Sequence, residues 1–187
     1  MRNMNTKGYT DEILAELKRT LELINDEDAE KVVECILRAK KIFVAGGGRS
    51  GFMAKAFVMR MMHVGLDAYV VGETVTPNLE PSDIFIVGSG SGETGSLAAM
   101  TKKAKSIGAT VVAVTINPDS TIGKLADIQI EIPAQAKAEG TSGKSIQPMG
   151  SLFEQSLLLF YDAVILRFMD KKGLKSDVMY GRHTNLE

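Results

Sequence analysis

Cysteine is nearly absent from this chain: Cys35 stands alone among 187 residues. One thiol makes neither an internal disulfide nor a cysteine-based zinc site. Cys35 lies in an amphipathic stretch and reads as a buried, inert structural thiol. No run reaches the ~18 apolar residues that a membrane-spanning helix needs. The leading residues, MRNMNTKGYTDEIL, are polar and hold no signal-peptide core. A cytoplasmic protein is expected. Excess charge of either sign is missing too. Twenty-two basic residues against 23 acidic ones leave a net −1, so no global field draws the chain to nucleic acid or to acidic membranes. Repeats and low-complexity tracts are lacking, and no ligand cluster has metal-site spacing, so no metal is expected. What remains is an ordinary globular composition, 44% apolar and 24% charged, in a length that suits one domain over residues 1–187.

Residues 1–40 read as a polar lead followed by helices. TDEILAELKRTLELI places Ile13, Leu14, Leu17, Leu21 and Ile24 at helical spacing, with Thr10 as N-cap. DEDAEKVVECILRAKK is a second helix. Short apolar runs then alternate with helical stretches. The runs are KIFVA (41–45), DAYVV (67–71), DIFIVG (83–88), TVVAVT (110–115) and DIQIEI (127–132). The helices between them are SGFMAKAFVMRMMHVG, closed by Gly65, and TGSLAAMTKKAKSIG. Strands alternating with helices imply right-handed crossovers and a parallel sheet. Runs such as IFVA do not alternate apolar with polar, so they suit strands covered on both faces. The expected fold is α/β: a three-layer sandwich with a five-stranded parallel sheet flanked by helices. Residues 133–150 form a loop longer than a compact domain tolerates without a function or a contact to another chain. A strongly apolar helix from Ser151 follows, then a tail over 171–187.

Two glycine-rich loops carry the chemistry. In VAGGGRSG, Gly46, Gly48 and Gly51 fit G-x-G-x-x-G between a strand and a helix, and Glu73 stands near the end of the next strand. This matches a dinucleotide fingerprint; equally, the glycines permit a tight turn and close helix–strand packing. The second loop, IVGSGSGETGS (86–96), has no lysine, which excludes a Walker loop. Ser89, Ser91 and Thr94 supply hydroxyls, the glycines let backbone N–H groups converge into an anion nest, and a helix begins near Thr94. These features suit a phosphate monoester; a serine-rich turn is the plainer alternative. Both loops leave the carboxyl ends of strands, where open α/β sheets bind ligands.

AGGGRSG and GSGSGET resemble the sugar-isomerase (SIS) domain family. GETVTP (72–77), SIQPMGSLFEQ (145–155) and RHTNLE (182–187) extend the resemblance, over nearly the whole chain, to the 6-phospho-3-hexuloisomerases within it. The resemblance implies an enzyme of the ribulose monophosphate pathway, interconverting D-arabino-hex-3-ulose 6-phosphate and fructose 6-phosphate through a C2–C3 enediol. It implies no redox cofactor, a homotetramer built from dimers with shared active sites, and a hexulose-phosphate synthase as functional partner. Another sugar-phosphate isomerase, or a non-catalytic sugar-phosphate-binding SIS protein, is the alternative. Candidate binding residues are Gly47, Arg49 and Ser50 in the first loop and Ser89, Ser91 and Thr94 in the second.

Candidate catalytic residues are Glu154 and His183. Glu154 opens an apolar helix beside the long loop, where partial desolvation suits a general base. Ser151 and Glu154 also spell a capping box. The resemblance implies a functional glutamate here. His183 suits proton shuttling, in its own site or a neighbour's; a tail histidine is otherwise solvent-exposed. His63, near a helix end, reads as structural. Arg49 is expected on substrate or in an ion pair, Glu93 to turn away from phosphate, Thr76 at the site border or in a turn, and Lys144 on substrate or in solvent. Met53, Met59, Met61 and Met62 read as core or subunit interface.

Overall fold

The structure, a computed structural model, describes residues 4–134 and 145–186. Five strands make one parallel sheet in the order β2-β1-β3-β4-β5. They are β1 (Ile42–Gly46), β2 (Ala68–Val70), β3 (Ile84–Gly88), β4 (Thr110–Thr115) and β5 (Ile128–Glu131). The helices are α1 (Thr6–Leu21), α2 (Asp26–Arg38), α3 (Gly48–His63), α4 (Gly95–Ile107), α5 (Thr121–Leu125), α6 (Ser151–Lys172) and α7 (Ser176–Tyr180). The expected α/β sandwich is therefore present, strand for strand.

Side-chain alternation along each strand divides the core in two. Ile42, Val44, Ile84, Ile86, Val112 and Val114 face a large cluster with α2, α3 and α6. Phe43, Ala45, Phe85, Val87, Val111 and Ala113 face a smaller one with α4 and α5. Both faces are covered, which is why these strands read as continuous apolar runs. α6 buries one broad face in this core and leaves Leu159 and Leu166 exposed on the other; its Tyr161 ring stacks flat on Phe57 of α3, with centroids 4.0 Å apart.

Some boundaries differ from expectation. α1 starts four residues before Thr10, capped by Asn5, whose side chain accepts from the Gly8 amide. Thr10 sits inside the helix and donates its hydroxyl to the Thr6 carbonyl. The short helices α5 and α7 were not legible as periodic stretches. α5 is only five residues, with Ser120 capping Gly123. Cys35 is only half-buried, on α2. Of the long loop, residues 135–144 lie outside the described residues, and Lys144 with them.

The strand order sets where a ligand goes. The chain passes from β1 through α3 to β2 on one side, and from β3 through α4 to β4 on the other. β1 and β3 are adjacent, so the crevice beyond their carboxyl ends is the topological switch point. Both glycine loops open there.

Candidate active site

Gly46 ends β1 against the first turn of α3. A Cβ on Gly46 would lie 2.8 Å from the Ser50 carbonyl oxygen, and one on Gly51 2.8 Å from that of Gly46. The fingerprint glycines thus bring helix and strand together so that the start of α3 reaches the crevice. Glu73, the acid that a ribose would need, is instead paired at the surface with Lys55 at 2.7 Å. Thr76 bonds the carbonyls of Val70 and Glu73 and serves its turn.

The second loop closes the other side. Gly92 takes φ +66°, and a Cβ there would fall 1.9 Å from Ser120 Oγ. Ser89 is buried, while Ser91 and Thr94 are exposed. Thr94 is the N-cap of α4, yet its hydroxyl makes no cap bond, so it remains available to a ligand. Glu93 turns away: its carboxylate accepts from the Thr121 amide at 2.7 Å. That backbone bond holds its pKa below the usual carboxylate range.

Between the loops lies a cleft of about 360 Å³. Gly47, Gly48, Ser50, Ser89, Ser91 and Thr94 line it, with Leu97, Ile116 and Phe153 as apolar wall. The N-termini of α3 and α4 both meet it. Two helix N-termini and three loop hydroxyls converge on one volume, which suits a phosphate group without a lysine. Of the six expected binding residues, five line the cleft; Arg49 stands at its edge.

Arg49 and Glu154 meet there. Arg49 Nη1 donates to Glu154 Oε2 at 3.1 Å and to Ser151 Oγ at 2.9 Å. Glu154 is 3% exposed, whereas the Arg49 side chain is 48% exposed. The capping box does not form. Gly150, at φ +78°, is the N-cap of α6, and Ser151 donates its hydroxyl to the Pro148 carbonyl at 2.7 Å. Glu154 is thus a buried carboxylate paired with a guanidinium at the cleft edge, not the acid of a helix cap. Ser151 is the site residue that sequence reading missed as a partner of Arg49.

His183 is elsewhere. Its ring stacks on His63 with centroids 5.4 Å apart, at the C-terminal end of α3. α3 has 16 residues and spans about 24 Å, and its other end meets the cleft. His183 therefore lies far from Glu154 of the same chain. His63 is buried, as expected of a structural residue; burial first, then Arg60 and His183, hold its pKa below the ordinary histidine value. Among the described residues, no group of three or more His, Cys, Asp or Glu side chains is arranged to hold a metal ion, and no helix is long and apolar enough to cross a membrane.

Comparison with known proteins agrees with this geometry. Residues 35–159 match the SIS domain family. A 3-hexulose-6-phosphate isomerase of Bacillus subtilis is 54% identical over 185 residues, covering 98% of this chain and 100% of that protein. One from Mycobacterium gastri is 38% identical, covering 92% and 86%. A solved structure from Methanococcus jannaschii, described as inferring a 3-hexulose-6-phosphate isomerase function, superposes with a TM-score of 0.84 at 34% identity, over 96% of this chain and 99% of that one.

Proposed function

The chain belongs to the SIS domain family, with 3-hexulose-6-phosphate isomerases as full-length relatives, and from that premise we propose that it interconverts D-arabino-hex-3-ulose 6-phosphate and fructose 6-phosphate. The observation that carries this reading is the buried Glu154 carboxylate held by Arg49 at the edge of a lysine-free phosphate cleft.

The phosphate sits on Ser89, Ser91, Thr94 and the amides at the starts of α3 and α4, with Gly47 and Ser50 beside it. The chain of the ketose then runs toward Arg49. The guanidinium, exposed on one side, exchanges Ser151 for a substrate oxygen and uncovers Glu154. Glu154 takes the proton from C2 of the 3-ketose; electrons move into a C2–C3 double bond, and O3 gains a proton. Return of a proton to C3 and loss of one from O2 leaves the 2-ketose. Arg49 offsets the negative charge that develops on oxygen along this path. No net oxidation occurs, so no redox cofactor enters.

His183 is assigned as the acid–base partner acting on a neighbouring subunit's cleft. Its distance from its own Glu154 supports this assignment, and so do exposed apolar side chains on two helices: Phe52, Met59 and Met62 on α3, Leu159 and Leu166 on α6. The protein works as a cytoplasmic homotetramer, the whole chain acting as one domain, and takes its substrate from a hexulose-phosphate synthase.

The test is a coupled assay. Ribulose 5-phosphate, formaldehyde and a separate hexulose-phosphate synthase generate the substrate, and fructose 6-phosphate is measured. Product is expected only when this protein is added; folded protein giving none would overturn the reading.

A further inference from the structure

Glu16 is a buried carboxylate that the reaction above does not use. It belongs to α1, ahead of residues 35–159 that match the SIS domain, and it is 4% exposed. It interrupts the apolar stripe of that helix, beside Leu17 and one turn from Ile13 and Thr20. A carboxylate removed from water in this way persists only where its oxygens are well bonded. All three of its partners come from the segment leading into α6. Glu16 Oε2 accepts from Ser145 Oγ at 2.8 Å and from Gln147 Nε2 at 2.9 Å; Oε1 accepts from the Ile146 amide at 2.7 Å. None of these donors is charged, so hydrogen bonds rather than an ion pair hold the group. The Gln147 amide in turn donates to Ser145 Oγ at 3.0 Å.

What this clamp holds leads directly into the cleft. Pro148 follows, its carbonyl accepting both the amide and the hydroxyl of Ser151 at 3.0 and 2.7 Å. Met149 has φ +58°, and Gly150 has φ +78°. A non-glycine residue keeps a left-handed backbone only where its surroundings over-determine it. Met149 itself is 71% exposed, so the restraint comes from either side of it: the Glu16 bonds before, the Ser151 bonds after. Gly150 lines the cleft, and Ser151 Oγ receives Arg49, which holds Glu154.

We infer that Glu16 is a positioning residue for the active site. By gripping residues 145–147 it fixes the strained approach to α6, and through Ser151 it sets where Arg49 and Glu154 stand. The inference rests on the isomerase reading and explains why an α-helix outside the matched domain buries an acid.

Glu16→Gln tests it. The substitution keeps size but puts an NH₂ group, a donor, against other donors. A misplacement of about 1 Å at a reacting group costs up to ~10²-fold in rate, so kcat is expected to fall about tenfold or more. KM should stay within about twofold, because the serine loop that grips phosphate is untouched. Amide exchange at Ile146 should accelerate, and Glu16→Asp should recover part of kcat. Ser145→Ala combined with Gln147→Ala releases the clamp from the loop side and leaves α1 intact; it should reproduce the same split if Glu16→Gln does not fold. A folded variant with unchanged kcat, whatever its melting temperature, would reduce Glu16 to a packing residue and overturn the inference. An inactive wild type in the same assay would instead bring down the isomerase reading, and the inference with it.

Discussion

At the scale of single residues, the proposed chemistry divides between groups that would grip the phosphate and groups that would react. Ser89, Ser91, Thr94 and two helix N-termini line the cleft, and Arg49 and Glu154 stand at its edge. The two parts should fail differently. Glu154→Gln keeps the shape of the side chain but removes the base; kcat should drop by about 10²-fold or more while KM hardly moves. Ser89→Ala removes a hydroxyl bond to a charged group, worth about 1.5–3 kcal/mol, so KM should rise by roughly tenfold or more with kcat less affected. Steady-state kinetics on the two variants checks both; a Glu154→Gln enzyme with normal turnover would take that residue out of the chemistry. The sequence displays this division only in part. Each glycine loop is a local pattern, and local patterns are readable. The meeting of Arg49 with Glu154 joins residues 105 positions apart, and no spacing encodes it. The S-x-x-E pattern at Ser151 looks the same whether it caps a helix or not. Here Gly150 takes the cap in a left-handed conformation, and Glu154 pairs with Arg49. Glu16 did leave a trace, as an acid within an apolar helical stripe, but the trace does not say what the acid holds.

At the scale of elements, the five strands were legible as short runs between turn residues, the central β1, β3 and β4 buried along nearly their whole length and the edge strands β2 and β5 only half-buried. Their order was not, since it follows from crossovers rather than from any one run; and that order is what places β1 beside β3 and opens the cleft. α5 escaped notice because five residues show no period. The N-terminal helices are fastened to α6 by more than apolar packing. Arg167 Nε donates to Glu30 Oε1 at 2.6 Å, and Lys171 Nζ lies 3.0 Å from Glu30 Oε2. The Arg167 bond first, then that from Lys171, lowers the Glu30 pKa from 4.5 to about 2. Between those values the unfolded chain binds a proton that the folded chain does not. The stabilisation from this tether is therefore complete above about pH 4.5 and is lost as pH falls toward 2. The difference in melting temperature between wild type and Glu30→Gln should be small and salt-sensitive, because the groups are partly exposed to solvent. It should shrink across that window. A difference that persists unchanged down to pH 2 would mean that Glu30 contributes by packing, not by charge.

At the scale of the whole molecule, one subunit holds the pieces of the proposed chemistry at opposite ends of α3. Glu154 is beside the helix N-terminus at the cleft, while His183 stacks on His63 at the C-terminus. A side chain cannot cross about 24 Å of helix, so a catalytic His183 would have to serve a neighbouring subunit, and the proposed site would then be complete only in an oligomer. Subunit mixing distinguishes this from a tail that merely covers His63. Glu154→Gln and His183→Ala proteins should each be weak alone. Dissociated together and reassembled in equal amounts, half of the tail-sharing pairs are mixed, and each mixed pair rebuilds one of its two sites with both native residues. Activity should therefore return to about a quarter of the wild-type level. If His183 served its own chain, a mixed pair would gain no intact site, because every site would still carry one lesion; the mixture would then stay at the average of its two components. Full activity of His183→Ala before any mixing would leave the tail as a structural cover for His63 and return the proton shuttling to Glu154 and solvent.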